Sequence, residues 1–250
     1  MASSSAIKAT ESQERYGEHY ADGYDDRRFT TTEGSFAQAF ELDLFRRTLL
    51  RYGARRVLDM PIGTGRVSIP LASEFSFVGG DISPAMLTEG RARAARSGVH
   101  NITWLECSVD KMPFPDGQFD AVITARLFQH VPKDMGHVIV CELSRVVKPG
   151  GVVIVQFRSG LYGLVLKFAH YWVRKRGAAD IRHKCIFPDQ VPVLFAGHKI
   201  VGHYGYKFPL SGLFARVFGL KAVMAVERVL SAVPGVRWLG KYKTFVLQRA

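Results

Sequence analysis

The sequence predicts an α/β protein built on a doubly wound, mostly parallel seven-stranded sheet, with helical lid additions in its C-terminal part. Three observations carry this. Short apolar runs alternate with helix-like segments through the first 158 residues. Those runs are apolar at consecutive positions, as in strands covered on both faces. And 250 residues, 47% hydrophobic and 22% charged, suffice for one large domain.

The elements follow in chain order. Residues 1–34 are mostly small and polar, lack a secretory apolar core, and are expected to be partly flexible. Their aromatics Tyr16, Tyr20 and Tyr24, with His19, either close over a ligand or pack on the core. "FAQAFELDLFRRTLLRYG" has helical spacing and stops at Gly53. Strands are expected at "RRVLDM", "FSFVGGD", "ITWLECS", "FDAVITA" and "GVVIVQF". Helices fill the gaps: after Gly65, over "PAMLTEGRARAARSG", and over "KDMGHVIVCELSRVVKPGG". Residues 35–158 then form a ligand-binding core. Residues 159–250 complete the sheet with strands near 198–208 and 243–249, and add lid or membrane-facing helices. Among these are an apolar then basic "LYGLVLKFAHYWVRKRG", a helical "PDQVPVLFAG", and a helix carrying Arg216, Lys221 and Arg228 on one side.

The formal net charge of +12 is unevenly placed. Residues 1–150 are close to neutral, whereas residues 151–250 carry sixteen Lys and Arg against three Asp and Glu. Such asymmetry points to an anionic substrate, a membrane surface or nucleic acid, or else to a solvated basic face. No apolar run reaches the roughly 18 residues of a membrane span. Three cysteines at no metal-like spacing fit free thiols in a reducing compartment, and no metal site is expected.

The chemistry begins at "VLDMPIGTGR". In an open α/β sheet, ligands bind beyond the carboxyl ends of the strands. Gly63 and Gly65 let the backbone approach a ligand. A dinucleotide turn needs a third glycine or alanine, and Ser68 stands there instead. The run Gly-Lys-Ser/Thr of a phosphate loop is missing. Asp59, at the end of the strand, repels phosphate and attracts an ammonium group. Asp81 ends the next strand 22 residues later, where an acid accepts hydrogen bonds from ribose hydroxyls. Gly79 and Gly80 are expected to keep that edge open. Ser83 and Pro84 begin a helix just past the acid. A ribose joined to an amino acid without phosphates describes S-adenosylmethionine.

With these residues the sequence resembles the class I S-adenosylmethionine-dependent methyltransferases, in the branch that methylates quinone rings and other small molecules. The resemblance covers roughly residues 50–158, through "VLDMPIGTGR", "FVGGDISPAML", "MPFPDGQFDAVITARLFQHV" and "ELSRVVKPGGVVIV". It implies a Rossmann-like methyltransferase fold and S-adenosyl-L-methionine as cofactor. It places Asp59, Gly63, Thr64 and Gly65 along the methionine portion. Asp81 falls on the ribose, with Ile82 and Met86 near the adenine. The adenine amino group is met at Ser108 and Val109, or by Asp110 after a shift. Pro61 replaces the first glycine of the family's Gly-x-Gly-x-Gly. It is tolerated where φ is negative and its N–H is not needed.

Methyl transfer needs the acceptor positioned, water excluded and, for a hydroxyl acceptor, a proton removed. His130 is the candidate base, with a structural role as its alternative. Arg126 is the candidate to steady an anionic acceptor or the cofactor carboxylate. The expected partner is a lipophilic or anionic small molecule, with peripheral membrane contact of a cytoplasmic protein at the inner membrane face. Two rival readings stand beside this one: an RNA methyltransferase using the basic C-terminal face, and a non-catalytic scaffold. The Asn/Asp-Pro-Pro-aromatic run associated with nucleobase or amide methylation is missing, so nucleic acid weighs less.

Overall fold

The computed structural model describes residues 32–162, 186, 188–209 and 211–249. The N-terminal aromatics, His170, His183, Cys185 and most of "LYGLVLKFAHYWVRKRG" lie outside them. Seven strands form one sheet: β1 Arg56–Asp59, β2 Ser76–Asp81, β3 Ile102–Glu106, β4 Phe119–Ala125, β5 Val147–Arg158, β6 Lys199–Tyr206 and β7 Tyr242–Gln248. Their order is β3-β2-β1-β4-β5-β7-β6. The first five run parallel, and β7 lies antiparallel between β5 and β6.

Successive residues of each strand feed opposite faces, so both faces demand apolar side chains. Val57, Phe77, Ile123 and Ile154 join one core with Phe40, Phe45 and Leu49 of helix α1, Thr32–Arg51. Leu58, Val122, Val153 and Val155 join the other with Ile139 and Leu143 of a helix at Gly136–Arg145. Each buried Leu, Ile, Val or Phe contributes about 1.5–3 kcal/mol. This two-sided burial is why the strands read as unbroken apolar runs.

Between β1 and β2 the chain makes only a four-residue helix, α2 (Ser68–Leu71). Helix α3 spans Pro84–Arg96, with Ser83 as its cap, accepting from Met86 N–H at 3.3 Å. The helix that follows β4, Gly136–Arg145 (α4), stops short of the expected span. Its tail is needed elsewhere: Val147 pairs with Phe119 and opens β5. The segment at Pro188–Leu194 is a 3-10 turn followed by the short helix α5, Val191–Leu194. Helix α6, Ser211–Ala232, is broken at Gly219 (φ 79). Arg228 pairs with Asp43 of α1 at 3.1 Å. The break lies between Arg216 and Lys221, so the three cations expected on one side are not carried by one continuous helix.

Strands β2 and β3 lie on one side of β1, and β4 and its successors on the other. The carboxyl ends of β1 and β4 therefore flank the point where the order reverses, where open α/β sheets place ligands.

Candidate active site

The turn after β1 is pinned from both sides. Met60 N–H donates to Ile123 O at 2.9 Å and Ile62 N–H to Gly80 O at 2.8 Å. Pro61 sits between these donors, after a cis Met60–Pro61 bond. The two sheet bonds come from its neighbours, so its missing N–H costs the turn nothing.

Gly63 and Gly65 both have positive φ, +55 and +73. Their surroundings differ. A Cβ at Gly63 would meet nothing within 4 Å, so its face of the turn is open to a ligand. A Cβ at Gly65 would stand 2.7 Å from Ile69 Cδ1 and 2.8 Å from the Trp104 ring. Gly65 thus serves the protein's own packing. Gly79 and Gly80 require a correction. They do not leave an open edge: a Cβ at Gly79 would strike Ile62, and one at Gly80 the sulfurs of Met60 and Cys107. Those glycines let the β1 turn lie directly on β2.

Asp59 and Asp81 end neighbouring strands, and both are buried. Ser68, at the third-glycine position, donates its hydroxyl to Asp59 Oδ2. Burial still pushes the Asp59 carboxyl up to about 7, against the pull of that hydroxyl and of Arg66. Asp81 takes two backbone donors, Ser83 N–H on Oδ1 and Gly63 N–H on Oδ2, each at 2.9 Å. Burial outweighs them and raises its carboxyl as well. Thr64 and Met86 are buried and Ile82 half-buried beside this pair. The third strand ends at Glu106, two residues before Ser108. Ser108 donates to Asp110, so these two form one hydrogen-bonded unit, and half-buried Val109 packs into the opposite core.

Beyond β4 the backbone turns at Arg126, in the left-handed region at φ 65. Its guanidinium lies 3.6 Å from Glu41 and 5.1 Å from the Tyr242 ring centre. Arg126, Gln129, Arg158, Lys207, Lys241 and Tyr242 line a cavity of about 300 Å³, together with Gly34 and Ala37 of α1. His130 is not among the lining residues. Its Nε2 lies 2.9 Å from the Gln129 amide nitrogen, so Gln129 stands on the cavity wall and His130 beside it.

Glu41 links the two halves of the site. It is buried on α1 and receives Arg66 of the β1 turn, Gln156 Nε2 at 3.1 Å and Tyr206 Oη at 2.9 Å, besides the pair with Arg126. Burial pushes its carboxyl up, but Arg66 and Arg126 outweigh this and hold it below the ordinary value. Sequence reasoning passed over Glu41, Arg158, Lys207, Lys241 and Tyr242. A charged residue within a buried helical face was the available signal for Glu41; the others carry none.

Residues 57–151 match a family model described as a methyltransferase domain. The likeness to a methyltransferase domain lies in this core. The demethylmenaquinone methyltransferase of Thermus thermophilus is 37% identical to the chain over 128 residues, covering 47% of this chain and 56% of that protein. The ubiquinone/menaquinone biosynthesis C-methyltransferase of Desulfotalea psychrophila is 37% identical over 126 residues, 49% of each. The chain thus spans about half the length of these curated relatives. The structure of magnesium protoporphyrin IX methyltransferase from Synechocystis, with bound SAH, aligns over 97% of this chain and 100% of its own, with a TM-score of 0.63. At 14% identity that likeness is one of fold.

Proposed function

We propose that the protein transfers the methyl group of S-adenosylmethionine to a small lipophilic or aromatic acceptor, as a cytoplasmic enzyme at an anionic membrane surface. One observation carries the cofactor: two buried carboxylates end adjacent strands, and the Cβ position of the glycine hydrogen-bonded to one of them is open. This arrangement suits a ligand with an ammonium group and ribose hydroxyls, and repels phosphate. Asp59 faces the ammonium end. Asp81 holds the ribose hydroxyls, with its own rotamer fixed by Gly63 and Ser83. The Ser108–Asp110 unit meets the adenine amino group. Bound there, the cofactor supplies a sulfonium methyl with a good leaving group, and the chain need only orient the acceptor and exclude water. Arg126 stands between the β1 turn and the cavity, placed to steady an anionic group on either side. His130 lies behind Gln129, and Tyr242 is the titratable hydroxyl on the cavity wall.

The lipophilic acceptor rests on the two quinone-methylating relatives. The membrane surface rests on α6. Leu213, Phe214, Val217 and Phe218 are 57%, 48%, 65% and 63% exposed, beside exposed Arg216 and Lys221. Its buried seam is narrow, at Ser211, Ala215, Val223, Glu227 and Ser231. An apolar helical face rimmed by cations suits the interface of an anionic bilayer. Among the described residues no helix is long and apolar enough to cross a membrane.

The test incubates the protein with methyl-labelled S-adenosylmethionine and a cell extract, with Asp81→Ala as control. Label in the organic phase that vanishes in the variant supports the proposal. Label in RNA supports the nucleic-acid reading instead, and no binding of S-adenosylhomocysteine supports a scaffold. Vesicle flotation reads the membrane part: phosphatidylglycerol vesicles should carry the wild type and release Phe214→Ser/Phe218→Ser.

A further inference from the structure

Two tyrosines stand side by side at the carboxyl edge of the sheet, and their hydroxyls have different fates. Tyr242 opens β7, opposite Arg158 of β5 on one side and Tyr206 of β6 on the other. Strand alternation sends Tyr242 into the core under α1 and its neighbour Lys243 to the opposite face, over the Trp238 ring. Tyr206 Oη donates to Glu41 at 2.9 Å and accepts from Gln156 Nε2 at 2.7 Å. Burial raises its phenol well above the ordinary value. Tyr242 Oη makes no hydrogen bond with any described residue. A buried phenol normally finds a partner. Tyr242 is buried yet lines the cavity, so a ligand in that space can be the partner.

The ring is held from three sides. Tyr206 lies against it at 5.5 Å between ring centres, and Tyr206 is itself stacked on Phe40 of α1 at 5.0 Å. Arg126 and Lys241 reach over the ring at 5.1 and 5.8 Å from its centre. This packing fixes where the hydroxyl points. Of the other described wall side chains, the arginines and protonated lysines only donate, and the Gln129 amide does not take up protons. Burial pushes the Tyr242 phenol up, as does Glu41 behind it, but Arg126, Lys241 and Lys207 outweigh them and hold it below the ordinary value. In strand order β7 stands three places from β1, roughly 14 Å across the sheet at about 4.8 Å per strand. A cofactor over β1 and β2 leaves the ends of β4 and β5 for an acceptor ring between its methyl group and Tyr242.

We infer that the methyl acceptor carries an acidic hydroxyl, a phenol or an enol, and that Tyr242 binds this hydroxyl and removes its proton. The inference rests on the methyltransferase reading above and supplies the base that His130, off the cavity wall, does not. Tyr242 as phenolate takes the hydroxyl proton. The electron pair released, on oxygen or delocalised to a ring carbon, forms the bond to the methyl carbon while the carbon–sulfur bond breaks onto sulfur. The Tyr242 phenol then returns the proton to solvent.

Calorimetry on the full chain saturated with S-adenosylhomocysteine tests this at neutral pH, with phenol and its methyl ether anisole as probes. The two differ in the hydroxyl alone as a donor. Phenol should bind about threefold to tenfold more tightly, as one hydrogen bond implies. Tyr242→Phe keeps the ring and should abolish that preference, while binding S-adenosylhomocysteine within about twofold of wild type. With labelled S-adenosylmethionine and cell extract, the variant should transfer about a hundredfold less label than wild type. Equal binding of phenol and anisole by the wild type would overturn the inference and leave the methyltransferase reading standing. So would a preference that survives in Tyr242→Phe, or equal labelling by the variant. Loss of S-adenosylhomocysteine binding in Tyr242→Phe would overturn it too, by placing the tyrosine in the cofactor site. Failure of the wild type to bind S-adenosylhomocysteine would sink both readings.

Discussion

Glu41 Oε2 stands 3.6 Å from Arg126 Nη2, and the same buried carboxylate holds Arg66 of the β1 turn. One acid on α1 thus spans the cofactor turn and the acceptor cavity. A neutral residue here would remove this counter-ion from two buried guanidinium groups. Glu41→Gln should lower the unfolding free energy by about 3 kcal/mol, measured by urea denaturation. Its carboxyl is held below the ordinary 4.5 in the fold. The stability it supplies is therefore complete above 4.5 and lost as pH falls through its lowered folded value. A variant as stable as wild type would show that water, rather than Glu41, satisfies both arginines.

Asp59 titrates the other way. Its carboxyl is raised to about 7, so it is largely protonated in the free fold below that value. A cofactor ammonium favours the ionised form. Affinity for S-adenosylhomocysteine should therefore rise as pH climbs from about 5 to 7 and level off above. Asp59→Asn should weaken binding about tenfold at pH 8 and flatten the profile, an ion pair of this kind being worth about 1.4 kcal/mol or more. An unchanged profile in that variant would transfer the dependence to Asp81, whose carboxyl is also raised.

The two turn glycines should part company. Gly63→Ala carries only the cost of a positive φ, about 1–2 kcal/mol, because the space around its Cβ is open. It should fold and lose cofactor affinity. Gly65→Ala adds a collision with Ile69 and Trp104 to the same backbone cost. It should lower the melting temperature clearly more than Gly63→Ala does. Equal melting temperatures would mean that Ile69 and Trp104 give way freely.

Ser108 and Asp110 act as one group through their hydrogen bond. Ser108→Ala and Asp110→Asn should each weaken S-adenosylhomocysteine binding several-fold. The double variant should lose little more than the worse single one, since either change dissolves the pair. Additive losses in calorimetry would assign the two residues separate contacts.

Much of the fold was legible because the sheet is covered on both faces. "VVIV" must be apolar throughout when Val153 and Val155 face one core and Val152 and Ile154 the other. The lengths of the helices were less legible. Helical spacing in "SRVVKPGG" does not show that Val147 is claimed by Phe119 across the sheet. The glycines were legible as turn residues but not by cause. Gly79 and Gly80 look like an opening for a ligand, and only the arrival of Ile62, Met60 and Cys107 shows that the protein fills it.

The sequence by itself determined the local pieces: the strand-turn-helix at Asp59–Gly65, the second acid at Asp81, the capped helix after it, and a basic C-terminal part. Each depends on neighbours a few residues away, where spacing and residue type suffice. Tertiary structure alone decided the partners. Arg66, Arg126 and Tyr206 converge on Glu41 from 25, 85 and 165 residues along the chain. Arg126, Arg158, Lys207 and Lys241 line one cavity because β4, β5 and β6 end there and β7 begins there. A lone cation in sequence reads as solvated surface. Whether it meets a carboxylate, an aromatic ring or three other cations depends on strand order and register, and no local pattern records those.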